Sequence, residues 1–198
     1  MWKFRGYEGS DNVAELIGTL NGRIGIVCGG GFGVFEELKV AEAFCDSEPI
    51  IFAVNGVGTI LPKAAHWIGL DTKFFEYGAK IPTHTACGPG ANYDWRIEPE
   101  HFHLSGYFAA QVAWLMGCDR IVLCGCPGEA GPRYNGTMND TPHFGYGSGS
   151  TSSDTCIREQ LNKQMKQIPD FKRAVRSTSR GKFSEHYFGS FGGSICPI

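Results

Sequence analysis

Residues 23–34 read Arg23-Ile-Gly-Ile-Val-Cys28, then Gly29-Gly-Gly-Phe-Gly33, then Val34, and this stretch decides the fold. The first six residues form an apolar run of strand length. The glycines that follow permit a sharp turn or a close approach of backbone to something else. From Val34 to Cys45 the apolar residues recur at helical spacing, with Phe35, Leu38, Ala41, Phe44 and Cys45 on one face. A buried strand, a glycine loop and a helix form the opening of a βαβ unit.

The same alternation continues along the chain. Pro49 to Asn55 is a second buried strand and His66 to Asp71 a third, ending in an acid. A short helix is expected over Lys73 to Lys80, and a fourth strand over Thr83 to Cys87. Ser105 to Met116 is a strong helix stopped by Gly117. Arg120 to Cys126 is a fifth strand. Asp154 to Ile168 reads as an amphipathic helix capped by Ser153, and Phe171 to Ser177 as the last strand. A small helix around Asn12 to Leu20 precedes them all. Continuous apolar strands separated by helices indicate a parallel sheet covered on both faces. The fold class is therefore α/β: a single doubly wound, Rossmann-like, mostly parallel sheet spanning residues 1–198.

Composition agrees with one such domain. The chain has 198 residues, of which 42% are hydrophobic, enough to build a core rather than a disordered chain. The formal charge of −2 gives no basic face for coating nucleic acid. No apolar run reaches membrane-spanning length, and residues 1–10 lack the apolar core of a signal peptide. A cytoplasmic protein is expected. Cys28, Cys45, Cys124 and Cys126 lie in apolar stretches, where free cysteine behaves as a small buried hydrophobe. Trp2, Phe4, Tyr187, Phe188 and Phe191 can form an interface in a homo-oligomer or a packed edge.

Two stretches, Gly88 to His103 and Gly128 to Ser152, read as too irregular for core. Both follow strands, so both belong at the carboxyl edge of the sheet, where open α/β folds bind ligands. The second carries six glycines and is expected to act as a mobile lid, the alternative being a loop packed by Phe144 and Met138.

Candidate site residues follow from this layout. Gly29, Gly30 and Gly31, ahead of a helix, suit an anion such as phosphate, or make a tight turn with no ligand. The dinucleotide pattern fails because Val34 stands where its third glycine belongs, and Asn55 stands where an acid would hold ribose. No Walker lysine is present. Asn55 can hydrogen-bond a base or sugar, or merely turn the chain. Asp71 can serve a ligand or cap the next helix. Ser105 and Gly106 start the strong helix at the same edge. In the long loop, Arg133 can meet phosphate, Tyr134 and Tyr146 can hydrogen-bond a leaving phosphate, and His143 can act as general base. A solvated loop histidine is the alternative for His143. His101 and His103 lack a third metal ligand, and there is no Asp-x-Asp, so neither a metal nor another cofactor is expected. Arg176, Arg180 and Lys182 can neutralise phosphate or be surface charge.

Several of these segments together resemble a known group. Ile26-Val-Cys-Gly-Gly-Gly31, Ala53-Val-Asn55, Leu104-Ser-Gly-Tyr-Phe-Ala109, Asp119-Arg-Ile-Val-Leu-Cys-Gly125 and Val175-Arg-Ser177 are similar to a glycosyltransferase-like Rossmann group. That group includes bacterial single-domain sialyltransferases, motility-associated-factor glycosyltransferases and 6-hydroxymethylpterin diphosphokinase-like domains. The chain most resembles a small branch found in phage genomes. The resemblance covers roughly residues 23 to 189. It implies that Gly30, Gly31, Asn55, Ser105 and Gly106 contact a nucleotide sugar and that His143 is the base, with no metal. This chain carries Gly31-Phe-Gly33 where the sialyltransferases carry Gly-Pro-Ser. The expected function is a metal-independent transferase using a nucleotide-activated donor. The alternatives are a pterin or nucleotide pyrophosphokinase, with Asp71, Glu98 and Asp140 as its loop acids, and a protein that sequesters a nucleotide unchanged. Asn55→Ala is expected to be nearly silent for folding and damaging to turnover.

Overall fold

The computed structural model describes residues 13–31, 33–69, 85–88, 95–96, 105–126 and 169–179. In chain order the elements are α1 (Val13–Leu16), β1 (Ile24–Cys28), α2 (Val34–Ala43), β2 (Ile50–Val54), a 3-10 turn (Asn55–Thr59) and β3 (His66–Ile68). Then come β4 (Thr85–Gly88), β5 (Trp95–Arg96), α3 (Ser105–Leu115), β6 (Arg120–Cys124), α4 (Pro169–Ala174) and β7 (Val175–Ser177). The seven strands form one sheet in the order β5-β4-β3-β2-β1-β6-β7, and every pair is parallel. The chain steps outward from β1 to β5, then returns to lay β6 on the other side of β1. The order therefore reverses between β1 and β6, the switch point at which open α/β sheets hold ligands.

Alternation along each strand divides the core into two layers. Ile26 and Cys28 of β1, Ile51 and Ala53 of β2, and Val122 and Cys124 of β6 pack with Val34, Leu38 and Ala41 of α2. Val27, Phe52, Val54, Ile121 and Leu123 alternate with them and pack with α3. Because β1, β2 and β6 are buried on both faces, their sequences read as continuous apolar runs rather than as alternations. α3 is buried through Tyr107 to Ala113. Gly25 lets it approach the sheet, since a Cβ there would stand 3.5 Å from that of Ala113 and 3.2 Å from Sγ of Cys118. Among the described residues, no helix is long and apolar enough to cross a membrane.

The end of α3 is built as the sequence suggests. Gly117 adopts φ 102° and donates to the Trp114 carbonyl at 3.0 Å, and Cys118 N–H reaches the Ala113 carbonyl at 3.0 Å. This is a Schellman closure, and it places glycine where an L residue is strained. The turn after α1 then covers the next carbonyls: Gly18, Leu20 and Gly22 donate to Leu115, Met116 and Gly117. A Cβ on Gly117 would stand 2.9 Å from the Asn21 backbone nitrogen. Gly117→Ala is therefore expected to cost about 2 kcal/mol, from left-handed strain plus displacement of this turn. Urea unfolding that shows a loss below about 0.5 kcal/mol would mean that the closure bends at no cost.

Three expectations need correction. Phe171 is not strand: Pro169–Ala174 is a helical turn, and only Val175–Ser177 joins the sheet. Proline begins a helix without losing a needed N–H, and Asp170 in the first turn with Lys172 and Arg173 in the last suits the helix dipole. Phe44 does not share the buried face of α2. It is 54% exposed at the C-cap, beyond the last helical residue, and Val34 fills the stripe at the other end. The stretch from Gly88 to His103 is not wholly irregular, because β4 reaches Gly88 and Trp95–Arg96 forms β5. A two-residue strand is too short to show a period. The expected helices at 73–80 and 154–168 lie outside the described residues.

Candidate functional site at the carboxyl edge

The glycine loop after β1 continues the sheet before it turns. Gly29 N–H donates to the Cys124 carbonyl at 2.7 Å, and Gly31 N–H to the Gly125 carbonyl at 2.8 Å. The two backbones are so close that a Cβ on Gly29 would stand 2.6 Å from the Gly125 oxygen, and one on Gly125 2.5 Å from the Gly29 oxygen. The close approach that the glycines permit is thus made first to β6. Gly30 and Gly33 are the glycines of the loop that donate to neither of these carbonyls. Gly33, at φ 84°, is the N-cap of α2.

α2 contributes a carboxylate to this edge. Glu37, in its first turn, accepts three hydrogen bonds on one oxygen, Oε2: from Gly125 N–H at 2.7 Å, Thr178 Oγ1 at 3.0 Å and Ser179 Oγ at 2.7 Å. Ser179 Oγ also receives the Cys126 N–H at 3.0 Å. Thr178 N–H donates to the Leu123 carbonyl at 2.9 Å, and its single hydroxyl proton is shared between that carbonyl, also at 2.9 Å, and Glu37 Oε2. One side chain therefore ties α2 to the chain leaving β6 and the chain leaving β7.

The second half of the edge is built by β2 and α3. Asn55 leaves β2 at φ 49°, a left-handed conformation that asparagine tolerates better than most residues. Its carbonyl accepts Nε1–H of the buried Trp67 at 2.5 Å, and its Nδ2 donates to Ser105 Oγ at 3.0 Å. Asn55 is 8% exposed. Gly106, next to Ser105, abuts Cys126, whose Sγ would be 2.8 Å from a Cβ at that position and 2.5 Å from one on Gly29. Gly29, Gly31, Asn55, Ser105 and Gly106 are thus gathered along one edge, with Cys126 between the β1 loop and the start of α3.

The thiols here are not nucleophiles. Burial, joined by the Glu37 charge, pushes Cys126 up to about 12. Burial pushes Cys118 up to about 12 as well, and raises Cys28 and Cys124. All four carry free thiols in the core, as their apolar surroundings imply. Their stability effect has a definite sign. The unfolded chain releases these protons near 8.5, whereas the folded chain keeps them. Stability should be full below about pH 8.5 and fall as the pH rises toward 12, by up to about 1.4 kcal/mol per pH unit for each thiol. Cys118→Ala should remove one thiol's share of that slope. Urea unfolding under reducing conditions from pH 8 to 10.5 measures it, and a slope that this substitution leaves unchanged would contradict the assignment.

Arg176 turns back onto its own chain: its Nη1 donates to the Val175 and Arg173 carbonyls at 2.8 and 2.9 Å, closing α4. Asp71, Arg133, Tyr134, His143 and Tyr146 lie outside the described residues, as do His101, His103, Glu98, Asp140, Arg180 and Lys182. Among the described residues, no three His, Cys, Asp or Glu side chains could hold a metal ion together.

Sequence reasoning missed Glu37, Thr178 and Ser179. Adjacent hydroxyls directly after a strand were the available signal, but nothing local linked them to an acid 141 residues away. No family model, curated protein or solved structure matches this chain.

Proposed function

We propose that the protein binds a nucleotide at the carboxyl edge and is a metal-independent transferase using a nucleotide-activated donor, a nucleotide sugar. The observation that carries this reading is the hydrogen bond between Asn55 and Ser105, 50 residues apart, beside the switch point. An amide and a hydroxyl converge there with the first turn of α3, which contains no acid. The resemblance of Ala53-Val-Asn55 and Ser105-Gly106 to the glycosyltransferase-like group supplies the substrate class. In this reading the donor spans Gly30, Asn55, Ser105 and Gly106. His143 takes the proton of the acceptor hydroxyl, Tyr134 and Tyr146 hydrogen-bond the leaving phosphate, and Arg133 meets the phosphate charge.

The test begins with thermal shifts against CMP, UMP, UDP, GDP and ATP without added metal. One of them is expected to raise the melting temperature, since a ligand at a hundred times its Kd stabilises by about 2.7 kcal/mol. No shift at millimolar concentration would overturn the reading. The choice of variant matters because Asn55 has φ 49°, so Asn55→Ala is not silent for folding and should cost about 1–2 kcal/mol by itself. Asn55→Gly relieves the backbone and removes only the amide. It should fold and bind the nucleotide about tenfold more weakly. Recovery of intact nucleotide sugar after long incubation with acceptors would leave the binding and remove the transferase.

A further inference from the structure

We infer that Glu37 determines ligand specificity at the switch point, with Oε1 of its carboxylate accepting a hydrogen bond from a ribose hydroxyl. The inference rests on the proposal that a nucleotide binds at this edge. An acid that reads ribose in dinucleotide-binding folds stands at the end of β2; here that place is held by Asn55, and the acid comes from α2 instead.

The two oxygens of Glu37 are in different situations. Oε2 is held by Gly125 N–H, Thr178 Oγ1 and Ser179 Oγ. Those donors come from two separate strand ends, so they orient the carboxylate plane. Oε1 receives none of these bonds. It lies beside the glycine loop, 4.0 Å from where a Cβ on Gly33 would stand, on a side chain that is only partly buried. An oriented carboxylate oxygen at a ligand-binding edge accepts hydrogen bonds and donates none. It selects hydroxyl or ammonium groups and repels phosphate. The neighbourhood agrees: burial raises the Cys126 and Cys124 thiols and the Glu37 charge adds to it, and two of the loop amides that a phosphate would need donate to the Cys124 and Gly125 carbonyls. The glycine loop is thus the sugar-reading end of the site, and the phosphates extend away from Glu37.

The experiment compares a ribonucleoside monophosphate from the thermal-shift panel with its 2′,3′-dideoxy and 3′-amino-3′-deoxy analogues, by calorimetric titration of the full chain. The wild type should bind the dideoxy analogue about tenfold or more weakly than the parent, and the amino analogue more tightly, as expected for hydrogen bonds to a charged acceptor. Glu37→Gln, which keeps the shape of the side chain, should lose the preference for the amino analogue and most of the discrimination against the dideoxy one. Equal binding of all three by the wild type would overturn the inference and leave the nucleotide site standing. So would a Glu37→Gln protein that keeps both preferences. If no nucleotide binds the wild type at all, both readings fall together. The wild-type comparison keeps the inference falsifiable even if the variant does not fold.

Discussion

Trp67→Ala should destabilise the protein by about 3–5 kcal/mol, the range for deleting a buried large aromatic ring. Trp67 is among the largest fully buried side chains, in the middle of β3, and it acts at two places. Its ring lies against Gly58, where even a methyl group would fall inside the indole, so the 3-10 turn after β2 is moulded onto it. Its Nε1–H holds the Asn55 carbonyl, and removing it leaves that buried acceptor without its indole donor, a further cost of about 1–3 kcal/mol. Trp67→Phe should fall between wild type and Trp67→Ala, because it restores most of the ring and none of the hydrogen bond. Chemical denaturation measures all three. An alanine variant within about 1 kcal/mol of wild type would show that the turn does not depend on the ring. Because the same bond presents Asn55 to Ser105, both substitutions should weaken nucleotide binding more than stability alone accounts for.

Gly125→Ala should be nearly as damaging, at about 3–5 kcal/mol, combining left-handed strain with overpacking. Gly125 has φ 63°, and its Cβ would stand 2.5 Å from the Gly29 oxygen and 2.7 Å from the Val34 Cβ. Neither neighbour can move freely, since Gly29 is bonded to β6 and Val34 is buried. Gly22→Ala is the matched control. It has a similar φ of 74°, but nothing lies within 4 Å of its Cβ, so it should show the strain alone, about 1 kcal/mol. The difference between the two variants measures the closeness of β1 and β6 at the switch point. Equal losses would mean that the loop relaxes and that the carboxyl edge is not rigid.

The elements themselves were legible wherever the pattern was long. Ile24–Cys28, Ile50–Val54, Ser105–Leu115 and Arg120–Cys124 stand within two residues of where periodicity and glycine punctuation put them. Errors fell on short or terminal pieces, as with Phe171 and Phe44, because six residues carry too little pattern to separate a helical turn from a strand. The site was legible only where one residue type signals by itself. Asn55 at a strand end and Ser105 at a helix start were visible individually, while their contact was not.

Local sequence therefore settles the α/β alternation, the two-sided burial of the strands and the glycine stop of α3, since each depends on residues within one or two turns of each other. Tertiary structure settles the rest. The switch point exists because β6 inserts beside β1, an outcome of pairing strands nearly a hundred residues apart in register Cys28 to Cys124. Glu37 has its role only because the same folding brings Gly125, Thr178 and Ser179 to one carboxylate oxygen. Hydrogen bonds between distant residues leave no period in the chain, so the sequence shows the donors and the acceptor while only the folded sheet shows that they meet.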